Sequence, residues 1–252
     1  GVPVLHHTEV LAALFADAMM NLRPWDLWTR EGGPQPGTEE IVKTLEAVLA
    51  ADPSHPGANH FYIHAVEASP VPIKALPSAE RLGLLAPGAP HLVHMPSHIF
   101  MRLGMYPKAA AVNELAVEGD RRYLKRAGPL AFYNLYRAHN SHFLAYAAMF
   151  DGRSALALEA ARNLVKEMPE EMVRKLPDIL EGFVATPLHV LIRFGRWDEI
   201  LREPKPGPHF PATAAFWHYA RGIAFSVKDK LDDAAREREA FEEAYRKVPE
   251  TA

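Results

Sequence analysis

One local pattern recurs along this chain and limits what it can become. Arg102-Leu103-Gly104-Met105-Tyr106, Phe150-Asp151-Gly152-Arg153-Ser154 and Arg193-Phe194-Gly195-Arg196-Trp197 each follow one apolar-periodic stretch and precede another. Glycine there accepts the left-handed conformation that closes a helix, so a second helix can begin within a few residues. A fourth copy, Val227-Lys228-Asp229-Lys230-Leu231, has Asp in the place of glycine, and a degenerate fifth reads Ser69-Pro70-Val71-Pro72-Ile73-Lys74-Ala75. The second helices run out in Ala51-Asp52-Pro53, Ala86-Pro87-Gly88, Met168-Pro169 and Val248-Pro249, where proline stops a helix. The copies stand 34 to 48 residues apart. A chain of 252 residues built this way lengthens by adding units and leaves its core no thicker.

This succession of hairpins resembles the tetratricopeptide repeat family over nearly the whole chain. The resemblance implies an all-α solenoid, a right-handed superhelix of helix hairpins in which the first helix of each hairpin lines a concave groove. It also implies that the groove holds a peptide or partner. We expect one domain over residues 1–252, with a histidine-rich half to about residue 152 and supporting, capping repeats from about 153. The charged run from Asp232 to Lys247, with acids and bases three and four apart, suits a solvated terminal helix. Residues 22–37 break the rhythm. They contain Trp25-Asp26-Leu27-Trp28 and a Gly/Pro-rich run, and a loop of this length is often a functional lid.

Composition narrows the chemistry. There is no cysteine, so a metal could be held only by nitrogen and oxygen. A net charge of −3, with both signs interspersed, gives no footprint for nucleic acid. No apolar run is long enough to span a membrane. Gly1-Val2-Pro3 reads as a tag scar or a cut edge, and no targeting signal is legible in it. The pattern does not specify an oligomeric state.

Seven of the thirteen histidines lie between residues 60 and 142, and they fall in register. Ten residues before the turns at Pro70, Gly104 and Gly152 stand His60, His94 and His142. Six before them stand His64 and His98, and His189 has the same offset from Gly195. Thirteen before stand His91 and His139. Offsets of thirteen, ten and six differ by three and four, which places these residues on one stripe of the first helix of each hairpin. Glu67 continues the stripe of His60 and His64. Such a stripe suits a divalent metal, which needs three or four ligands converging from rigid elements. We therefore take His60, His64, His91, His94, His98, His139 and His142 as candidate metal ligands. Glu67 and Asp26 are candidate catalytic carboxylates, although a turn or cap role suits Asp26 better. His55, His209 and His218 stand alone and read as structural, while His6 and His7 adjoin the terminal scar and are set aside. Pro96, inside His94-Met95-Pro96-Ser97-His98, should kink its helix and re-aim the side chains around it. Asn59, Asn140 and Ser141 flank the ligands and could orient imidazoles.

The segments His60-Phe61-Tyr62-Ile63-His64 and His91-Leu92-Val93-His94-Met95-Pro96-Ser97-His98 also resemble a group of bacterial tetratricopeptide-repeat proteins named for their repeats. That likeness implies a bacterial cytoplasm or periplasm and treats the stripe as a group feature. Three functions compete. An imidazole-rich, sulfur-free site suits copper above all, or non-haem iron, and so an oxidoreductase. Two sets of three histidines would resemble coupled dinuclear copper proteins. One set would be His60, His64 and His94 or His91; the other, His98, His139 and His142. A zinc hydrolase would use Glu67 or Asp26 as general base. A binding module would need no metal at all.

Overall fold

The computed structural model describes residues 7–128 and 133–249; Gly1-Val2-Pro3 and His6 lie outside the described residues. The chain forms two compact units, Gly1–Gly128 and Pro129–Ala252. All regular structure among the described residues is helical, apart from an isolated bridge between Trp28 and Pro34. No helix among them is long and apolar enough to cross a membrane.

The first unit contains α1 (His7–Asn21), α2 (Thr38–Ala51), α3 (Pro56–Glu67), α4 (Leu76–Leu85), α5 (Pro90–His94), α6 (Pro96–Arg102) and α7 (Tyr106–Ala127), with a 3-10 turn at Pro72–Ala75. The second contains α8 (Tyr133–Phe150), α9 (Ser154–Glu167), α10 (Glu170–Lys175), α11 (Pro177–Val184), α12 (Thr186–Arg193), α13 (Trp197–Arg202), α14 (Pro211–Val227) and α15 (Leu231–Tyr245).

The turns expected from sequence join α6 to α7, α8 to α9, α12 to α13 and α14 to α15. Gly104, Gly152 and Gly195 have φ of 71°, 74° and 65°, and Asp229 takes the same region at 58°. The residue after each turn donates its N–H back to a carbonyl five residues earlier. These bonds are Met105 to Phe100 at 2.8 Å, and Arg153 to Ala148, Arg196 to Leu191 and Lys230 to Phe225 at 2.9 Å each. That bond satisfies a carbonyl left over at the helix end, so one device closes all four helices. The degenerate fifth copy forms the 3-10 turn.

In the first unit, α3 has two faces. Asn59, Tyr62, Ile63 and Val66 are buried, while His60, His64 and Glu67 form a separate, partly exposed stripe. Its start is secured by His55, whose Nδ1 accepts from the Ala58 N–H at 3.1 Å, with Pro56 in the first turn. Pro96 has the effect expected of it. Met95 keeps helical angles, but the helix divides there into α5 and α6, with Pro96 opening the second piece. The loop over 22–37 is pinned. Trp28 donates from Nε1 to the Ala65 carbonyl at 2.7 Å, and the Thr38 hydroxyl donates to the Leu27 carbonyl at 2.7 Å. In the second unit a core of Ala138, Leu164, Met168, Val173 and Leu180 draws in Phe183 and Phe210. On α15 no residue is buried; Asp233 pairs with Arg236 along it, and Glu243 with Lys247 just past its end.

The shared turn can be tested directly. A Cβ on Gly152 would meet nothing within 4 Å, so Gly152→Ala should cost only the backbone penalty of the left-handed region, about 1–2 kcal/mol. Asp229→Gly should act in the opposite direction. Thermal unfolding of the two variants should show a lower melting temperature for the first and an equal or higher one for the second.

Candidate metal centre

The first unit brings five of the expected histidines into one closed ring. Successive imidazole centroids are 5.0 Å apart for His64 and His60, 5.2 Å for His60 and His91, and 5.8 Å for His91 and His94. The circuit closes through His94 and His98 at 4.9 Å and His98 and His64 at 5.1 Å. Helix α3 supplies two of the rings. The broken pair α5 and α6 supplies the other three, with the Pro96 break falling between His94 and His98. His94 is fully buried.

Two nitrogen pairs face each other in this ring. His60 Nε2 lies 3.3 Å from His91 Nε2, and His94 Nε2 lies 3.0 Å from His98 Nε2. The opposite nitrogens of three rings are committed. Glu67 accepts from His64 Nδ1 at 2.9 Å through one carboxylate oxygen and from His98 Nδ1 at 2.5 Å through the other. Asn113, on α7, accepts from His94 Nδ1 at 2.7 Å. The amide of Asn113 cannot turn over without loss, because its Nδ2 donates to the Ala109 carbonyl at 2.8 Å. Oδ1 is therefore the acceptor and Nδ1 of His94 carries the proton. Burial alone would raise the Glu67 carboxyl, but hydrogen bonds from His64 and His98 outweigh it and hold the group down to about 2. Glu67 is thus an anion, and His64 and His98 also carry their protons on Nδ1. That leaves the Nε2 atoms of His64, His94 and His98 for a further hydrogen bond or a metal ion.

His60 and His91 are kept neutral. Burial, then the neighbouring His64, His91 and His98, lower His60 to about 3. Burial, then His64 and His98, lower His91 to about 4. One ligand atom from each of His60, His64 and His91 lies within 4.8 Å of the other two, and the same holds for His64, Glu67 and His98.

His139 and His142 stand on α8 in the second unit. The His139 ring lies 4.9 Å from Phe143 and the His142 ring 5.0 Å from Phe183. Burial, then His189, lowers His142. His189 packs its ring 4.0 Å from Phe216. Asp26 is exposed in its loop, where it accepts from Gln35 Nε2 at 3.2 Å and pairs with Arg23, and it joins none of the ligand groups among the described residues. Asn59 does not orient an imidazole. Its Nδ2 donates to the Pro53 and His55 carbonyls, 2.9 Å each, at the start of α3. His55 and His218 have structural partners: the first caps α3, and the second bonds Glu237 at 2.6 Å beside Arg221.

Asn113 is a residue that motif spacing misses, though its signal is present in the sequence. Ala109, Asn113, Ala116 and Asp120 recur at helical spacing along α7, and all four are buried. A polar residue interrupting a buried stripe of alanines needs a partner, and here the partner is a histidine.

The arrangement is thus an all-helical repeat scaffold holding a ring of five imidazoles backed by a carboxylate and an amide. No known family profile matches the chain, and no curated protein matches it. Solved structures do resemble it. Two structures of the Podosopora anserina putative kinesin light chain nearly identical TPR-like repeats are similar over almost the full length. One has 16% identity, a TM-score of 0.50, and coverage of 96% of this chain and 97% of that one. The other has 15% identity, a TM-score of 0.51, and coverage of 98% and 100%. The fold is therefore that of tetratricopeptide-like repeats.

Two outcomes follow for the protein without metal. The folded-state values of His60 and His91 lie below the ordinary value of 6.5. Below that value the unfolded chain takes up protons that the folded one refuses, so stability is fully present above it and is lost as pH falls toward the folded values. The melting temperature should drop between about pH 7 and about pH 4.5, and His60→Gln should flatten that slope. Asn113→Leu removes the 2.7 Å acceptor of the buried His94 Nδ1–H, leaving Ser97 Oγ at 3.4 Å, and should cost about 1–3 kcal/mol in chemical denaturation.

Proposed function

We propose that the first unit binds a transition metal through the Nε2 atoms of its histidine ring, and that the protein works as a metal-dependent oxidoreductase. One observation carries this reading. His94 and His98 point their Nε2 atoms at each other at 3.0 Å while Asn113 and Glu67 hold the protons on Nδ1. At that distance the two nitrogens need a cation between them, either a proton shared as an N–H···N hydrogen bond or a metal ion. Imidazoles coordinated through one nitrogen, with the other N–H held by a carboxylate or an amide oxygen, are the usual ligands of protein-bound metals.

The donor set supports copper first and iron second. It is rich in imidazole, lacks sulfur and has a single carboxylate, which suits those ions better than magnesium, calcium or a thiolate-bound zinc. A bound copper or iron ion would supply one-electron chemistry. The residues of the chain would do the rest: His60, His64, His91, His94 and His98 hold the ion, and Glu67 and Asn113 fix their tautomers. Helices α3, α5, α6 and α7 keep the rings from rotating.

A zinc hydrolase fits less well. It needs a carboxylate ready to take a proton from water, but both oxygens of Glu67 already accept hydrogen bonds and its carboxyl is held down to about 2. We read Glu67 as a positioning residue. A binding role has its own support in the tetratricopeptide-like fold, since repeats of this architecture form extended binding surfaces, but fold alone does not assign function.

The experiment is metal analysis of protein purified without a nickel column, together with a His94→Ala/His98→Ala variant and oxygen uptake with phenolic reductants. Copper or iron at one equivalent or more, depleted in the variant, with chelator-sensitive oxygen uptake, is the expected result. Zinc content with zinc-restored ester or peptide hydrolysis would move the assignment to the hydrolase. Absence of metal, with a melting temperature indifferent to added copper, would leave the peptide-binding reading.

A further inference from the structure

We propose that the ring holds two metal ions, one on His60, His64 and His91 and the other on His94 and His98. The inference rests on the metal reading above and deepens it by dividing the ligands.

Imidazole nitrogens that share one tetrahedral ion at about 2.0–2.1 Å stand about 3.3 Å from each other. The ring contains two such spacings, 3.3 Å between the Nε2 atoms of His60 and His91 and 3.0 Å between those of His94 and His98. The two pairs are turned away from a common point. His91 and His94 belong to different pairs, and their rings are stacked, with planes 25° apart and centroids at 5.8 Å. The lone pair of an imidazole lies in the plane of its ring. Stacked rings therefore direct their lone pairs along separate lines, and each Nε2 meets a partner of its own. Within each pair the rings are nearly perpendicular, at 87° for His60 with His91 and 83° for His94 with His98.

His64 joins the first pair. One of its nitrogens lies within 4.8 Å of ligand atoms of both His60 and His91, and its Nδ1 is already bonded to Glu67, so Nε2 is the donor it can offer. The first ion then has three imidazoles, and His94 and His98 belong to the second. Glu67 stands behind both groups, joined to His64 of one and His98 of the other, and its negative charge is shared between them.

The test is a stoichiometric titration of the metal-stripped full chain with copper(II), read by elemental analysis after desalting and by electron paramagnetic resonance. Two equivalents are expected in the unaltered protein. One is expected in His60→Gln/His91→Gln, one in His94→Gln/His98→Gln, and none when all four are replaced, with circular dichroism checking the fold. The unaltered protein alone already decides the count, so a misfolded variant does not rescue the idea. One equivalent, abolished by either double replacement, would keep the metal centre and overturn the two-ion division. Two equivalents that survive both replacements would place the ions elsewhere and overturn it as well. No binding by the unaltered protein would remove the metal reading on which the division stands.

Discussion

The carboxylate of Glu67 joins two helices that the chain places far apart. It lies at the end of α3 and accepts one hydrogen bond from His64, a turn earlier on the same helix, and one from His98 on α6, 31 residues later. A carboxylate removed from water is costly unless its oxygens are satisfied, and here each oxygen has an imidazole N–H. That single group sets the tautomer of two rings, fixes where their Nε2 atoms point and registers α3 against α6. Without it both rings could exchange protons between their nitrogens, and the inward-facing donor set would no longer be defined. Glu67 is better understood as the organiser of the centre than as its base.

Proline plays the second organising part. An unbroken helix through His91, His94 and His98 would carry three imidazoles along one straight stripe. Pro96 cannot donate a backbone hydrogen bond, so the helix divides after His94 and resumes one residue later. The two histidines that flank the break face each other through Nε2, and the pair lies against α7, whose Asn113 reaches His94. The second unit repeats the backbone motif. Pro187 stands eight residues before Gly195, as Pro96 does before Gly104, and again divides a first helix, into α11 and α12. There His189 packs its ring against Phe216.

Likeness to tetratricopeptide-like repeats at about one residue in six identical speaks for architecture alone. Such repeats are stabilised by contacts between neighbouring helices, which tolerate nearly any apolar residue of suitable size. Small side chains such as Ala109, Ala110, Ala116, Ala145 and Ala148 allow close approach in both units. The polar residues of the ring are an addition to that scaffold and not a requirement of it, so the fold can be shared where the chemistry is not.

The periodicity of the apolar residues, the left-handed turns at Gly104, Gly152, Gly195 and Asp229, and the proline stops are all local properties. They were legible in the sequence because each depends on a few adjacent residues and on backbone sterics. The stripe of His60, His64 and Glu67 was legible for the same reason: helical spacing alone puts them on one face. Closure of five imidazoles into a ring, the meeting of His98 with Glu67 and the role of Asn113 came only with tertiary structure. Each depends on how far one helix is rotated and shifted against another, which the packing of many side chains decides together. The same limit explains Asp26 and Asn59. Their neighbours in sequence suggested chemistry, but a loop turn holds the first and a helix start the second, through hydrogen bonds whose geometry only the folded chain supplies.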